Sequence, residues 1–273
     1  MAPNRQHMHR TLSQWPLRLF ILAWLTSPAL CSPSEARLYH DLFTSYNKYV
    51  RPVVNASDTI QVNVDLSIID IRDLDFEEGV LDMISWVSLT WTDHLLKWSP
   101  GEYEGVNYLN VPSETTWVPD IVISNLVSSP VELSPSRLVV SSDGRVLLVK
   151  MYRTRTLCRS HGDLPKHACV VKFMSWTYNG FQVNVESERT EVNLNEYIIN
   201  EQWKIIERNM TRNVAFYSCC PESYPSVTAE IILAPKREKM RDDAVSNAPQ
   251  HFPADKLCYV LCMIFLSPMM RIF

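Results

Sequence analysis

The chain has 273 residues, with 26 basic and 30 acidic side chains and a net charge of −4. A mildly acidic protein is a poor partner for nucleic acid and a tolerable host for cations. There is no Gly-rich phosphate cradle, no H-E-x-x-H and no G-x-S-x-G elbow, so the common hydrolase and nucleotide chemistries have no motif here and the expectation is a protein that is not an enzyme.

The N-terminus carries Arg5, Arg10 and Arg18 without an acid, then the apolar run "LFILAWL" and the small, kinked stretch "TSPALCS". That three-part layout predicts a secretory signal peptide over residues 1–31, cleaved near Cys31–Ser32. Its removal leaves 23 basic against 30 acidic side chains, a net charge of −7. Export makes disulfides the default state of cysteine. The sequons at Asn55 and Asn209 agree with it as glycosylation sites.

A short helix opens the mature chain. Ser32, Pro33 and Glu35 fit its N-cap, N1 and N3, and Leu38, Leu42 and Tyr46 repeat at helical spacing. Strands follow. "TIQVNVDLSI" places Ile60, Val62, Val64, Leu66 and Ile68 on one face and Gln61, Asn63, Asp65 and Ser67 on the other. "RLVVSSDGRVLLVKM" reads as two strands about a Ser-Asp-Gly turn, and "SVTAEIIL" as another strand. The predicted class is all-β: one immunoglobulin-like β-sandwich of about ten strands, residues 32–235, behind an N-terminal α-helix.

One strand has an aromatic on the wrong side. In "VLDMISWVSLTWTDHLLKW", Leu81, Met83, Val87, Leu89 and Trp91 share the core parity, while Trp86 falls with Asp82, Ser88 and Thr90. A large ring on the polar face is either packed under a loop or covered by a partner or ligand. Trp176 and the Tyr217/Tyr224 pair raise the same question, and several such rings on a mildly acidic protein suggest a box that holds a cation.

In order along the chain stand "SWVSLTWTDHLLKW", "WVPDIVISN", a cysteine loop followed by "SWTYNG", and "YSCCPESYP". With these four motifs the sequence, from about Ser34 to Leu233, resembles the extracellular ligand-binding domain of nicotinic acetylcholine receptors and the acetylcholine-binding proteins. The resemblance implies a ring of five subunits, homomeric or with related chains, and an acetylcholine-like amine bound between neighbours with no cofactor or metal. It assigns Ser124, Trp176, Tyr217, Cys219, Cys220 and Tyr224 to the principal face of that site. Trp86, Val139, Leu147 and Val149 fall to the complementary face of the next subunit. Trp91, Trp117, Pro119 and Asp120 match positions that support the fold. The implied disulfides are Cys158–Cys169 and the vicinal pair Cys219–Cys220, which stiffens the tip of a flap carrying the two tyrosines.

Two departures stand out. Ser124 occupies a position where the family has a tyrosine, so the box is one ring short. The loop "CRSHGDLPKHAC" has ten intervening residues where channel subunits carry thirteen, and of the usual tip only Leu164-Pro165 remains. A rival for that loop is zinc held by Cys158, His161, His167 and Cys169, although the spacing is not a usual zinc pattern. Beyond the domain, a polar linker over 236–256 leads to a short apolar tail over 257–273, whose uninterrupted apolar core, Leu257 to Leu266, is about half a membrane span. Three readings of the tail stay open: a GPI-anchor signal with small residues at Ser246, Asn247 and Ala248, a truncated membrane helix, or an extension of a secreted protein. The functional expectation is a secreted or cell-surface binding protein for a cationic amine, with a truncated or auxiliary channel subunit as the alternative.

Overall fold

The computed structural model describes residues 32–161 and 166–236. The predicted signal peptide, the linker beyond Lys236, the apolar tail and the Leu164-Pro165 tip lie outside the described residues.

Helix α1 (Pro33–Phe43) starts where its caps require: Ser32 Oγ accepts from the Glu35 backbone N–H at 3.4 Å, and proline fills the first turn. Leu38 is fully buried beneath it. The helical repeat does not extend to Tyr46, because α1 ends at Phe43 with Thr44 Oγ1 donating to the His40 carbonyl at 2.6 Å. Tyr46 lies in the following loop, where its hydroxyl donates to the buried Asp93 carboxylate at 2.6 Å and accepts from Trp117 N–H at 3.1 Å. Burial pushes the Asp93 carboxyl above its ordinary range, against the hydrogen bonds it accepts from Tyr46 and nearby backbone. Loop, strand and tryptophan are thus tied at one buried polar point.

Eleven strands follow among the described residues. One layer holds β1 (Ile60–Asp75), β2 (Val80–Thr92), β3 (Tyr108–Pro112), β5 (Val131–Glu132), β6 (Arg137–Ser141), β7 (Arg145–Ser160) and β9 (Val183–Glu186). The other holds β4 (Ile121–Ile123), β8 (His167–Ser175), β10 (Trp203–Phe216) and β11 (Ser223–Pro235). The long strand β7 joins them: its first part pairs with β2 and β6, and its last residues pair with β8. All neighbours named run antiparallel except β1 and β9, which are parallel. The fold is the all-β sandwich with one N-terminal helix that the sequence predicts.

The alternation explains the core. Val62, Val64, Leu66 and Ile68 of β1 are fully buried, and Leu81, Met83 and Trp91 of β2 are 0–2% exposed. They meet Val171 and Phe173 of β8 and Val227, Ala229 and Ile231 of β11 from the facing layer. Between β6 and β7 the predicted turn forms at residues 142–144, with Gly144 at φ 88°, a left-handed value that favours glycine.

Candidate functional site

Three segments converge at one end of the second layer. Asp120, just before β4, lines up with the end of β8, and its carboxylate accepts three hydrogen bonds there. They come from Ser175 Oγ at 2.5 Å, Thr177 N–H at 2.7 Å and Thr177 Oγ1 at 2.6 Å. Trp176 N–H donates to the Asp120 carbonyl at 3.1 Å. The peptide carrying Trp176 is therefore clamped on both sides, while the indole is 72% exposed. Gly180 N–H donates to the Ser223 carbonyl at 2.7 Å, which docks the loop after Trp176 onto the start of β11. A Cβ at position 180 would run into the Ser223 side chain, so the close approach depends on glycine.

The β10–β11 hairpin supplies the other rings. Its strands pair out to Phe216 and Ser223, and Cys220 N–H closes the tip onto the Tyr217 carbonyl at 3.1 Å. Cys219 and Cys220 are disulfide-bonded within that tip. Tyr217 and Tyr224 face each other edge to plane with ring centroids 5.2 Å apart. Tyr217 is half-exposed and Tyr224 partly buried. Trp176, Tyr217, Cys219, Cys220 and Tyr224 thus share one corner. Ser124 stands apart from it. It lies opposite Lys172, whose carbonyl accepts from its backbone N–H at 2.9 Å and from its hydroxyl at 3.4 Å. Trp176 stands four residue steps beyond Lys172, about 13 Å along an extended chain. A serine cannot cover that span; a longer side chain could reduce it.

The remaining residues gather on the outward face of the first layer. Trp86 pairs with Met151, and one step along the same face Ser88 pairs with Val149. Thr90 pairs with Leu147, which pairs in turn with Val139 on β6. Val139, Leu147 and Val149 are each 37–38% exposed, and Trp86 is partly buried. These four form a continuous apolar stripe. Among the described aromatic pairs, none joins Trp86 to Trp176, Tyr217 or Tyr224, so the aromatic corner and the apolar stripe are separate within one chain.

Trp91, Trp117 and Pro119 are buried and Asp120 partly so, with Trp91 and Trp117 meeting edge-on at 6.1 Å. Cys158 and Cys169 are disulfide-bonded across paired positions of β7 and β8, which leaves zinc without its thiolates. Asn55 is exposed in the loop before β1, and Asn209 is exposed on β10. Sequence reasoning passed over several polar residues inside the fold. Asp82 is only 8% exposed because Arg153 covers it through two hydrogen bonds of 2.9 and 2.7 Å. Asp93, with its Tyr46 contact, is another, and Lys150 and Tyr152 turn toward the space between the layers. In sequence, Asp82 reads as part of the polar half of an alternating strand.

A β-sandwich presenting an aromatic corner on one face and an apolar stripe on another is built as a binding module. Comparison with known proteins gives it a family. Residues 35–237 match the neurotransmitter-gated ion-channel ligand binding domain, and the chain belongs to that family of ligand-binding domains. It is 35% identical over 218 residues to the acetylcholine receptor subunit alpha-like of Manduca sexta, covering 75% of this chain and 42% of that protein. It is 33% identical over 225 residues to the neuronal acetylcholine receptor subunit alpha-10 of Rattus norvegicus, covering 80% of this chain and 50% of that protein. With the acetylcholine receptor subunit alpha-type acr-16 of Caenorhabditis elegans the identity is 32% over 213 residues, 77% and 43% of the two chains. The chain spans half or less of the length of these curated relatives.

Proposed function

We propose that the chain is an extracellular binding protein for acetylcholine or a related cationic amine, held in an aromatic box between adjacent subunits of a five-membered ring. The ring is made of identical chains or of this chain with related subunits. The observation that carries the reading is the division of the half-sites: three rings at the Asp120-clamped corner, and Trp86 with its apolar stripe on another face. Each half is incomplete, and head-to-tail association brings one against the other at every interface. Trp176, Tyr217 and Tyr224 supply ring faces to the cation, and Trp86 closes the box from the neighbour. Cys219–Cys220 holds the flap tip in shape while the tyrosines fold over the ligand. With Ser124 in place of a ring, the box admits a bulkier or differently shaped amine at that side. The export signal read at residues 1–31 puts this chemistry outside the cell. The sequons at Asn55 and Asn209 are at accessible positions for glycosylation.

The alternative, an auxiliary or truncated channel subunit, draws support from the receptor-subunit relatives themselves. Light scattering of the exported protein, combined with titration of acetylcholine, tests the main reading. A ring of five whose sites vanish on dissociation is expected. A monomer that binds at full affinity would overturn it, and agonist-evoked current from this chain expressed alone in oocytes would favour the alternative.

A further inference from the structure

A lysine on the inner face of a sandwich demands a reason. Val87 and Leu89 of β2 turn inward, and the pairing of β2 with β7 sets Lys150 opposite Val87 and Tyr152 opposite the buried Ser85. Around them the two layers part, leaving a cavity of about 750 Å³. Its floor is Val87, Leu89 and Phe173, at 6%, 7% and 1% exposure. Its rim is the exposed segment 127–130 between β4 and β5. Close-packed interiors leave few voids larger than a water molecule, whereas small-molecule pockets run from about 300 to 1,000 Å³ with mostly apolar walls and a few placed polar groups.

The polar groups here sit together. Lys150 Nζ is 3.3 Å from Glu132 Oε2 and 5.9 Å from the centroid of the Tyr152 ring. Glu132 is paired beside Tyr152 across β5 and β7. One contact to Glu132 leaves the ammonium with further donors, and the Tyr152 phenol, pushed up by burial, stays protonated and able to donate. Lys150 is the one charged residue among the described lining, with Glu132 paired to it at 3.3 Å, so the polar groups offered to a ligand are the remaining ammonium donors and the Tyr152 phenol. The cavity shares no residue with the two aromatic half-sites.

We propose that this cavity binds a second ligand within a single subunit, a small apolar molecule ending in a carboxylate, with its chain over Val87, Leu89 and Phe173 and its carboxylate on Lys150 and Tyr152. The site stands independently of the amine box. Titration calorimetry of the exported protein with octanoate tests it, with tetramethylammonium as the probe of the box. One saturable octanoate site per chain is expected. Lys150→Met should weaken octanoate about tenfold or more, the loss of a charge-assisted hydrogen bond. Val127→Trp, at a rim position 44% exposed where a larger ring does not disturb the core, should block entry. Both variants should bind tetramethylammonium as the parent does. Absence of saturable octanoate binding would overturn the proposal. So would octanoate binding that both substitutions leave intact, or that Trp176→Ala removes instead.

Discussion

Trp176→Ala should weaken the binding of a quaternary amine by about 30-fold or more, with the fold intact. A desolvated cation over a tryptophan face is worth about 2 kcal/mol, and the conversion to affinity gives that factor. The fold is expected to tolerate the change because the indole is 72% exposed and packs against little of its own chain. What positions it is backbone and carboxylate: the Asp120 carbonyl accepts from the Trp176 N–H, and the Asp120 side chain holds Ser175 and Thr177 on either side. None of these contacts uses the indole. Titration calorimetry with tetramethylammonium on a variant of unchanged unfolding midpoint checks the expectation. Unchanged affinity would remove Trp176 from the box.

Trp91→Ala should do the opposite, with a large loss of stability and no specific effect on the ligand. Trp91 is 2% exposed, shares the core parity of β2 and stands edge-on to Trp117. Truncating a buried tryptophan costs about 3–5 kcal/mol, a large part of the roughly 5–15 kcal/mol that holds a typical domain together. Its indole N–H has no hydrogen-bond partner, so the loss is one of packing. Trp91→Phe, which keeps a ring in the space, should cost much less. Urea unfolding measures both. A change of under about 1 kcal/mol for Trp91→Ala would mean that the core closes around the gap far better than cores usually do.

These two tryptophans show what the sequence could and could not disclose. Period-two alternation in β1 and β2 was enough to separate the buried Trp91 from the outward Trp86, because strand geometry alternates side chains whatever the partner strand is. The N-cap of α1 and the 142–144 turn were legible for the same reason: local backbone chemistry decides them. The helical repeat overshot at Tyr46, since three apolar positions cannot show that a phenol is needed further on for a carboxylate 47 residues away. Asp82 read as surface because its cover, Arg153, arrives from β7 and is fixed only by register. Lys150 and Tyr152 were invisible for a related reason. Inward and outward faces of β7 are set by pairing with β2, and a lysine gives no hint that it faces a cavity rather than water. The aromatic corner needed the family resemblance: Trp176 and the hairpin tyrosines lie 41 and 48 residues apart in sequence, and spacing alone does not bring them together.

The central claim is that each site is shared between two chains, and complementation tests it most directly. Trp176→Ala spoils the corner and leaves the stripe whole, while Trp86→Ala spoils the stripe and leaves the corner whole. Each variant alone should bind tetramethylammonium weakly at every interface. Unfolded together and reassembled in equal amounts, the two should recover high-affinity sites at about a quarter of the interfaces, those where an intact corner meets an intact stripe in a head-to-tail ring. Calorimetric stoichiometry near that fraction is the predicted result. A mixture with no more high-affinity sites than its two components would contradict a site built from two subunits.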